Sequence, residues 1–296
     1  MSLHKPLVAA LMFLLAMPAS ADIIHTEKSL YRNILIAENG DEVCMKFSLR
    51  LRNSQNQSCM YRSQPERLVF DYTRMIMGAL LVEPAPRRIL IIGLGGGTLP
   101  MALHRLLPDS EIDNVEIDEA VVNMARRYFD FRETPQMRVH VRDGRLFIKQ
   151  AIRQQKTYDL VILDAFNGDY IPEHLMTREF LGEVRALLSA SGVVVANTFS
   201  SSALYAHESV TYASVFGPFF NVVGEDHRNR VVIAVNSGLP PEAQLKRNGE
   251  QLRTGLARVG VDPQWLLARF SRKADWDPDV KPLTDQYAPV NLLQSH

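Results

Sequence analysis

Glycines and acidic residues recur at the ends of apolar runs in the middle of this 296-residue chain. The apolar residues 89–92 lead straight into a turn that contains Gly93, Gly95 and Gly97. Glycine accepts a positive φ and lets a ligand approach the main chain closely. Glu116 follows Gly97 by 19 residues, near the ~20-residue spacing at which a carboxylate reaches a ribose hydroxyl pair. This pattern predicts a site for a ribose-containing ligand.

Two aspartates follow the next two predicted strands. Asp143 comes after residues 137–141 and is followed by Gly144. A carboxylate there can accept a hydrogen bond from an exocyclic amine such as that of adenine. Asp164 comes directly after the apolar run 158–163. It could act as a general base, or it could bind a ribose or an ammonium group, and both interpretations stay open.

Alternating strands and helices must position these residues. Continuous apolar runs such as 89–92 and 158–163 are typical of strands that are covered on both faces, and helical patterns follow the first three predicted strands. The predicted sheet has seven strands, over residues 89–92, 112–116, 137–141, 158–163, 193–198, 221–224 and 230–235. A helix is predicted over residues 177–188, with a turn at 190–192 before the fifth strand. Open α/β sheets bind ligands at the carboxyl ends of their strands, so the acidic residues should face one crevice.

The order and spacing of these residues resemble those of the spermidine and spermine synthases, the polyamine aminopropyltransferases. The N-terminal hairpin of that family is matched by residues 29–47, and its entry helix by residues 65–76. The resemblance implies an α/β fold, with a Rossmann-like seven-stranded sheet of the methyltransferase type and a small N-terminal β-hairpin domain. The predicted divisions are a signal peptide (1–21), an N-terminal β-strand domain (22–64), a Rossmann-like nucleoside-binding catalytic domain (65–237) and a C-terminal peripheral segment (238–296).

The resemblance also implies a role for each of these residues. Glu116 would hold the ribose, and Asp143 with Gly144 would hold the adenine, beside the glycine turn. Asp164 would be the general base that deprotonates the attacking amine. Tyr72 and Asp169 would line the substrate channel.

The same resemblance implies what the protein binds. Decarboxylated S-adenosylmethionine would be the co-substrate and methylthioadenosine the product, with no tightly bound cofactor. The acceptor would be a polyamine such as putrescine. Members of the family commonly form homodimers or homotetramers, and we expect one of these assemblies here.

Some positions depart from the family pattern. Gly96 stands where members usually carry an acid that contacts the ammonium of the donor. Asn167 replaces a second acid, with Asp169 two residues further on, and Arg32 and Thr73 each replace a glutamine. A cationic amine in a partly buried cleft is unfavourable without carboxylate partners. The acceptor amine and the state of the carboxyl group on the donor therefore stay open.

Two other functions fit parts of the pattern. A methyltransferase that uses S-adenosylmethionine would share Glu116 and Asp143, but it would lack the N-terminal hairpin domain. A non-catalytic periplasmic protein that binds a nucleoside or a polyamine would explain Gly96 and Asn167.

The N-terminus has the three-part layout of a signal peptide. A short basic start precedes an uncharged apolar run at residues 7–17, and residues 18–21 offer a cleavage site after Ala21. This pattern predicts a periplasmic or secreted protein; a cytosolic apolar helix and an uncleaved anchor are the alternatives. We expect no membrane span in the mature chain, because no later segment reaches ~18 consecutive apolar residues.

Cysteines and charge limit the remaining possibilities. Cys44 and Cys59 either form a disulfide in the hairpin region, worth ~3 kcal/mol, or pack as two small apolar side chains. The sequence contains no Cys-x-x-Cys or His-Glu-x-x-His motif, so we predict no metal site. With 33 basic and 33 acidic residues the net charge is zero, which does not favour nucleic-acid binding.

Overall fold

The computed structural model describes residues 21–48, 55–166, 170–224 and 228–288. Residues 1–20 of the predicted signal peptide lie outside these ranges, as do Asn167 and Asp169. No helix within the described ranges has the length and apolar character needed to cross a membrane.

The N-terminal region is a four-stranded antiparallel sheet with its strands in sequence order. The strands are β1 (Asp22–Lys28), β2 (Asn33–Asn39), β3 (Glu42–Ser48) and β4 (Gln55–Tyr61). Cys44 and Cys59 lie opposite each other on β3 and β4 and form a disulfide. One face of the sheet is apolar because hydrophobic side chains alternate along the strands. That face includes Ile36 and Met45 and packs on Phe129.

The second sheet has eight strands and forms the centre of the α/β domain. Its strands are β5 (Arg88–Ile92), β6 (Glu111–Glu116), β7 (Met137–Val141), β8 (Tyr158–Leu163), β9 (Leu188–Phe199), β10 (Phe220–Val223), β11 (Asn229–Val235) and β12 (Phe270–Ser271). The spatial order is β12-β10-β11-β9-β8-β5-β6-β7. Strands β5 to β9 run parallel, and the others join antiparallel. After β5 the chain adds β6 and β7 on one side of that strand, and then adds β8 and β9 on its other side. This reversal places a topological switch point between β5 and β8.

Helices cover both faces of this sheet. They are α1 (Asp71–Ile76), α2 (Ala79–Val82), α3 (Thr98–Leu106), α4 (Glu119–Tyr128), α5 (Gly144–Arg153), α6 (Arg178–Leu187), α7 (Tyr205–Phe216), α8 (Glu242–Arg258) and α9 (Pro263–Leu267). Successive strand residues feed opposite layers, as a pleated strand requires. Ile89 and Ile91 belong to one apolar core, whereas Leu90 and Ile92 belong to the other.

The observed sheet confirms the predicted fold and differs from it at two places. Strand β12, from the segment predicted to be peripheral, pairs with β10 and adds an eighth strand because Phe270 packs edge-on against Phe220. The predicted turn at residues 190–192 lies within β9, which starts at Leu188. The ladder with β8 skips from Leu188 to Val193, so the intervening residues bulge out without ending the strand.

Candidate functional site

The carboxyl ends of the parallel strands open into one pocket. The structure places together all but one of the predicted site residues that it describes: Gly93, Gly95, Glu116, Asp143, Gly144, Asp164 and Tyr72 line this pocket. Side chains of the N-terminal sheet and its loops, among them Arg32, Phe47 and Ser58, line the opposite side. The pocket is therefore enclosed between the two sheets.

Gly93 fixes the point where β5 and β8 come closest. Its φ is +101°, and a Cβ built there would lie 2.2 Å from the backbone oxygen of Asp164. The amide of Asp164 also donates to the carbonyl of Ile92. A side chain at position 93 would thus push the two loops of the site apart.

Gly97 is the one described residue of the predicted site that does not line the pocket. It lies at the N-cap of α3 with φ +74°. A Cβ on Gly97 would come within 2.4 Å of the Phe131 ring. The glycine is needed for packing behind the turn, and its role in nucleoside binding stays a prediction.

Gly96 is enclosed by neighbouring side chains. A Cβ on this residue would lie 2.6 Å from the Phe129 ring and 2.7 Å from the hydroxyl of Ser58. Ser58 belongs to the N-terminal sheet, so the packing of that sheet leaves no space for an acidic side chain at position 96.

Glu116 is held rigidly at the end of β6. Only 9% of its surface is exposed. Its Oε2 accepts from the amide of Leu94 at 3.1 Å, and its Oε1 accepts from the amide of Asp118 at 3.0 Å. Burial raises the pKa of Glu116, although these amides and the charge of Arg32 oppose the rise. A carboxylate oriented in this way keeps lone pairs for the hydroxyl groups of a ligand.

Asp143 begins helix α5. Its Oδ1 accepts from the amide of Leu146 at 2.9 Å, which is an N-cap. Its Oδ2 lies 3.1 Å from Nε2 of His174, which also lines the pocket. At the next position, a Cβ on Gly144 would lie 2.6 Å from a methyl group of Ile92, so only glycine fits there.

Asp164 sits at the inner end of the pocket. The amide group of Asn197 donates to its Oδ1 at 2.9 Å. The Tyr72 hydroxyl, which lies 3.5 Å from the backbone oxygen of Gln57, is also close enough to this carboxylate to affect its pKa. Burial raises the pKa of Asp164 to about 7, although both side chains oppose the rise. Burial and the adjacent carboxylate raise the pKa of Tyr72 well above its usual range. The phenol therefore stays protonated and acts as a donor at neutral pH.

Asn197 is a site residue that the sequence analysis missed. It is 3% exposed on β9, and its Oδ1 accepts from the side-chain amide of Asn229 at 3.0 Å. That second bond fixes which end of the Asn197 amide faces Asp164. The available signal was a polar residue at the end of the apolar run 193–196.

Arg32 and Thr73 are two of the departures from the family pattern. Each hydrogen-bonds to a different backbone carbonyl group. Arg32 crosses the pocket, and its Nη1 donates to the backbone oxygen of Phe166 at 2.9 Å. Its guanidinium carbon lies 4.4 Å from the centre of the Phe47 ring. Thr73 lines the pocket, but its hydroxyl donates to the carbonyl of Phe70 at 2.7 Å.

The described residues bring three potential metal-binding side chains together at one place, formed by Glu42, Cys44 and Cys59. The two sulfur atoms are bonded to each other. They are therefore not available as thiolate ligands.

Comparison with known proteins agrees with this architecture. A model of the spermine/spermidine synthase domain matches residues 69–222. The polyamine aminopropyltransferase of Vibrio vulnificus is 46% identical over 293 residues, covering 97% of this chain and 98% of that protein. The polyamine aminopropyltransferase of Neisseria meningitidis serogroup A is 32% identical, covering 81% and 90%. In fold, the chain is similar to a probable spermidine synthase from Corynebacterium glutamicum, with a TM-score of 0.65 and 21% identity over 86% of this chain and 97% of the other.

Proposed function

The chain belongs to the spermine/spermidine synthase family, and from that premise we propose that it is a polyamine aminopropyltransferase. The donor in this proposal is decarboxylated S-adenosylmethionine, and the acceptor is a polyamine such as putrescine. The products are the lengthened polyamine and methylthioadenosine. The observation that carries the proposal is the buried, hydrogen-bonded Asp164 beside the glycine turn.

The reaction is a direct displacement at carbon. A neutral amine attacks the methylene carbon next to the sulfonium, a carbon–nitrogen bond forms, and the carbon–sulfur bond breaks. The electron pair of that bond neutralises the sulfonium, so the leaving thioether needs no acid. The amine does need a base, because its pKa resembles that of lysine, ~10.4, and it is protonated at neutral pH.

Asp164 is the base in this proposal. Asn197 donates to its Oδ1, and the carboxylate keeps lone pairs that can take the proton from the amine. A pKa of about 7 lets the carboxylate hold that proton near neutral pH, whereas an ordinary aspartic acid would not. Glu116 binds the ribose of the donor, and Asp143 with Gly144 binds its adenine.

Turnover with defined substrates tests the proposal. The protein is incubated with decarboxylated S-adenosylmethionine and putrescine, and methylthioadenosine and the new polyamine are quantified by chromatography. Asp164→Asn should retain nucleoside binding and lose about 10²–10⁴-fold in rate. Full activity in this variant would contradict the assignment of the base.

The same assay separates the rival functions. Nucleoside binding by calorimetry without any turnover would indicate a binding protein. Formation of S-adenosylhomocysteine from S-adenosylmethionine would indicate a methyltransferase.

The compartment and the assembly are part of the proposal. The signal-peptide pattern and the disulfide between Cys44 and Cys59 support a periplasmic or secreted protein, because disulfides persist in oxidising compartments. We propose a homodimer or a homotetramer, the assemblies that the family resemblance implies.

A further inference from the structure

The segment 283–288, near the C-terminal end of the described chain, is fixed beside the nucleoside side of the pocket. Leu283 is fully buried and belongs to one apolar cluster with Met176 and Leu204. Its carbonyl accepts from the amide of Arg178, the first residue of α6, at 2.8 Å. The segment is therefore packed against the α/β domain, although the sequence predicted that residues 238–296 would be peripheral.

Asp285 in this segment belongs to an ion-pair network that joins it to α5 and α6. Arg145 donates to both carboxylate oxygens of Asp285, at 2.8 and 2.7 Å, and to both carboxylate oxygens of Glu183, each at 2.9 Å. The hydroxyl of Thr177 also donates to Asp285 at 2.7 Å. The side chain of Arg145 is only 11% exposed. Because bidentate contacts fix the orientation of a guanidinium as well as attract it, Arg145 has one defined position.

Arg145 stands between two walls of the pocket. It directly follows Asp143 and Gly144, which line the pocket at the start of α5. Its Nη1 also lies 3.4 Å from the backbone oxygen of His174, which lines the pocket from the loop at 171–177. The imidazole of His174 in turn lies 3.1 Å from Oδ2 of Asp143. The position of Arg145 therefore fixes the separation between the start of α5 and this loop.

We propose that Arg145 and Asp285 are positioning residues of the nucleoside subsite. Neither is among the residues that line the pocket. They act by holding Asp143 and His174 on either side of the space assigned to the adenine, so the C-terminal segment forms part of the binding site for the donor. This inference rests on the proposed function, which assigns the adenine to Asp143 and Gly144.

The arrangement separates binding of the nucleoside from proton transfer. Asp164 accepts its hydrogen bond from Asn197 on β9, and neither residue bonds to Arg145 or Asp285. Loss of the network should therefore weaken the donor without changing the base. A merely structural role would instead lower the fraction of folded enzyme, which reduces the apparent kcat and leaves KM and Kd unchanged.

The experiment compares Asp285→Asn and Arg145→Gln with the wild type and with Asp275→Asn. Asp275 is a matched control, because it is an exposed aspartate near the same end of the chain that accepts from the Tyr205 hydroxyl at 2.7 Å and does not line the pocket. Calorimetry gives the Kd of methylthioadenosine. Steady-state kinetics with decarboxylated S-adenosylmethionine and putrescine gives kcat and the KM of each substrate.

Both network variants should raise the Kd of methylthioadenosine and the KM of the donor by about tenfold, the lower end of the range for a hydrogen bond to a charged group. The kcat at saturating donor and the KM of putrescine should stay within about twofold of the wild type, as should every constant of Asp275→Asn. Asp285→Glu keeps the carboxylate and should recover part of the lost affinity.

An unchanged Kd and donor KM in Asp285→Asn would overturn the inference, and so would a fall in kcat alone. The substitution keeps the size of a side chain that is 42% exposed, and circular dichroism checks its folding. Failure of the proposed function gives a different result: the wild type would bind methylthioadenosine without turning over decarboxylated S-adenosylmethionine, and calorimetry would still test the nucleoside subsite. A wild type that does not bind methylthioadenosine would overturn both.

Discussion

The properties of Asp164 come from its neighbours. Burial disfavours the charged carboxylate and raises its pKa, while the bonds from Asn197 and Tyr72 favour the charged form. Burial is the larger influence, so the pKa reaches about 7. Such a value suits a group that must take a proton from an amine and release it near neutral pH.

The shifted pKa predicts how activity depends on pH. A base must be ionised to accept a proton. The kcat/KM for the donor should therefore rise with pH through about 7, rather than through the ordinary aspartate value of ~3.9. Asn197→Ala removes a bond that favours the carboxylate, so the rising limb should move to higher pH and the rate should fall by up to about tenfold. Asn236→Ala is the control, because Asn236 bonds to Arg185 and Ser189 and is absent from the pocket lining.

An unchanged rising limb in Asn197→Ala would contradict the positioning role of that amide. The profile is measured with saturating acceptor, so that protonation of the free amine does not set its shape.

At the scale of elements, the glycine turn is shaped by what packs behind it. Gly96 and Gly97 are closed off by Phe129, Phe131 and Ser58, none of which is adjacent in sequence. Gly93 and Gly95 of the turn thus line the pocket, whereas Gly96 and Gly97 are closely packed against the side chains behind it.

Restoring the acid of the family pattern in this turn should be unfavourable. Gly96→Asp places a Cβ within 2.6 Å of the Phe129 ring, and such overpacking costs typically about 1–3 kcal/mol of unfolding free energy. Gly182→Ala is the matched control: no atom lies within 4 Å of its Cβ position in helix α6, so alanine should stabilise the protein by up to about 1 kcal/mol. Denaturant unfolding gives the unfolding free energy of both variants. Equal values for Gly96→Asp and the wild type would show that the turn can rearrange to accommodate the side chain.

Strands β5 and β8 were predictable because residues 89–92 and 160–163 are continuous apolar runs that end at a glycine or an acid. The positions of Glu116, Asp143 and Asp164 at one edge followed from the parallel topology. Strand β12 has only two residues and depends on pairing with β10, so no local pattern indicated it. The packing role of Gly97 and the bond from Asn197 to Asp164 depend on residues brought together only by the fold.

At the scale of the whole molecule, the N-terminal sheet completes the site. It contributes Phe47 and Ser58 to the pocket and is anchored to helix α4 through the apolar face that contacts Phe129. The disulfide between Cys44 and Cys59 joins its two last strands. Stability of this sheet and completeness of the pocket are therefore linked.

Removing the disulfide should weaken the molecule as a whole. The double variant Cys44→Ala/Cys59→Ala should lose ~3 kcal/mol of unfolding free energy, as expected for a closed loop of about 15 residues. In the producing cell, the native protein should be found in the periplasmic or secreted fraction, begin at Asp22 and carry no titratable thiol. Cytosolic protein with two free thiols would contradict the proposed compartment.

The contact at Gly93 has a consequence for how this enzyme can diverge. The main chain at Gly93 and the backbone oxygen of Asp164 meet without a side chain between them, since a Cβ on Gly93 would lie 2.2 Å from that oxygen. A mutation that changes the conformation of the glycine turn at Gly93 must therefore also displace the loop that begins at Asp164. If the proposed function is correct, a change that adapts the site to a new donor will therefore also affect its fit to the acceptor.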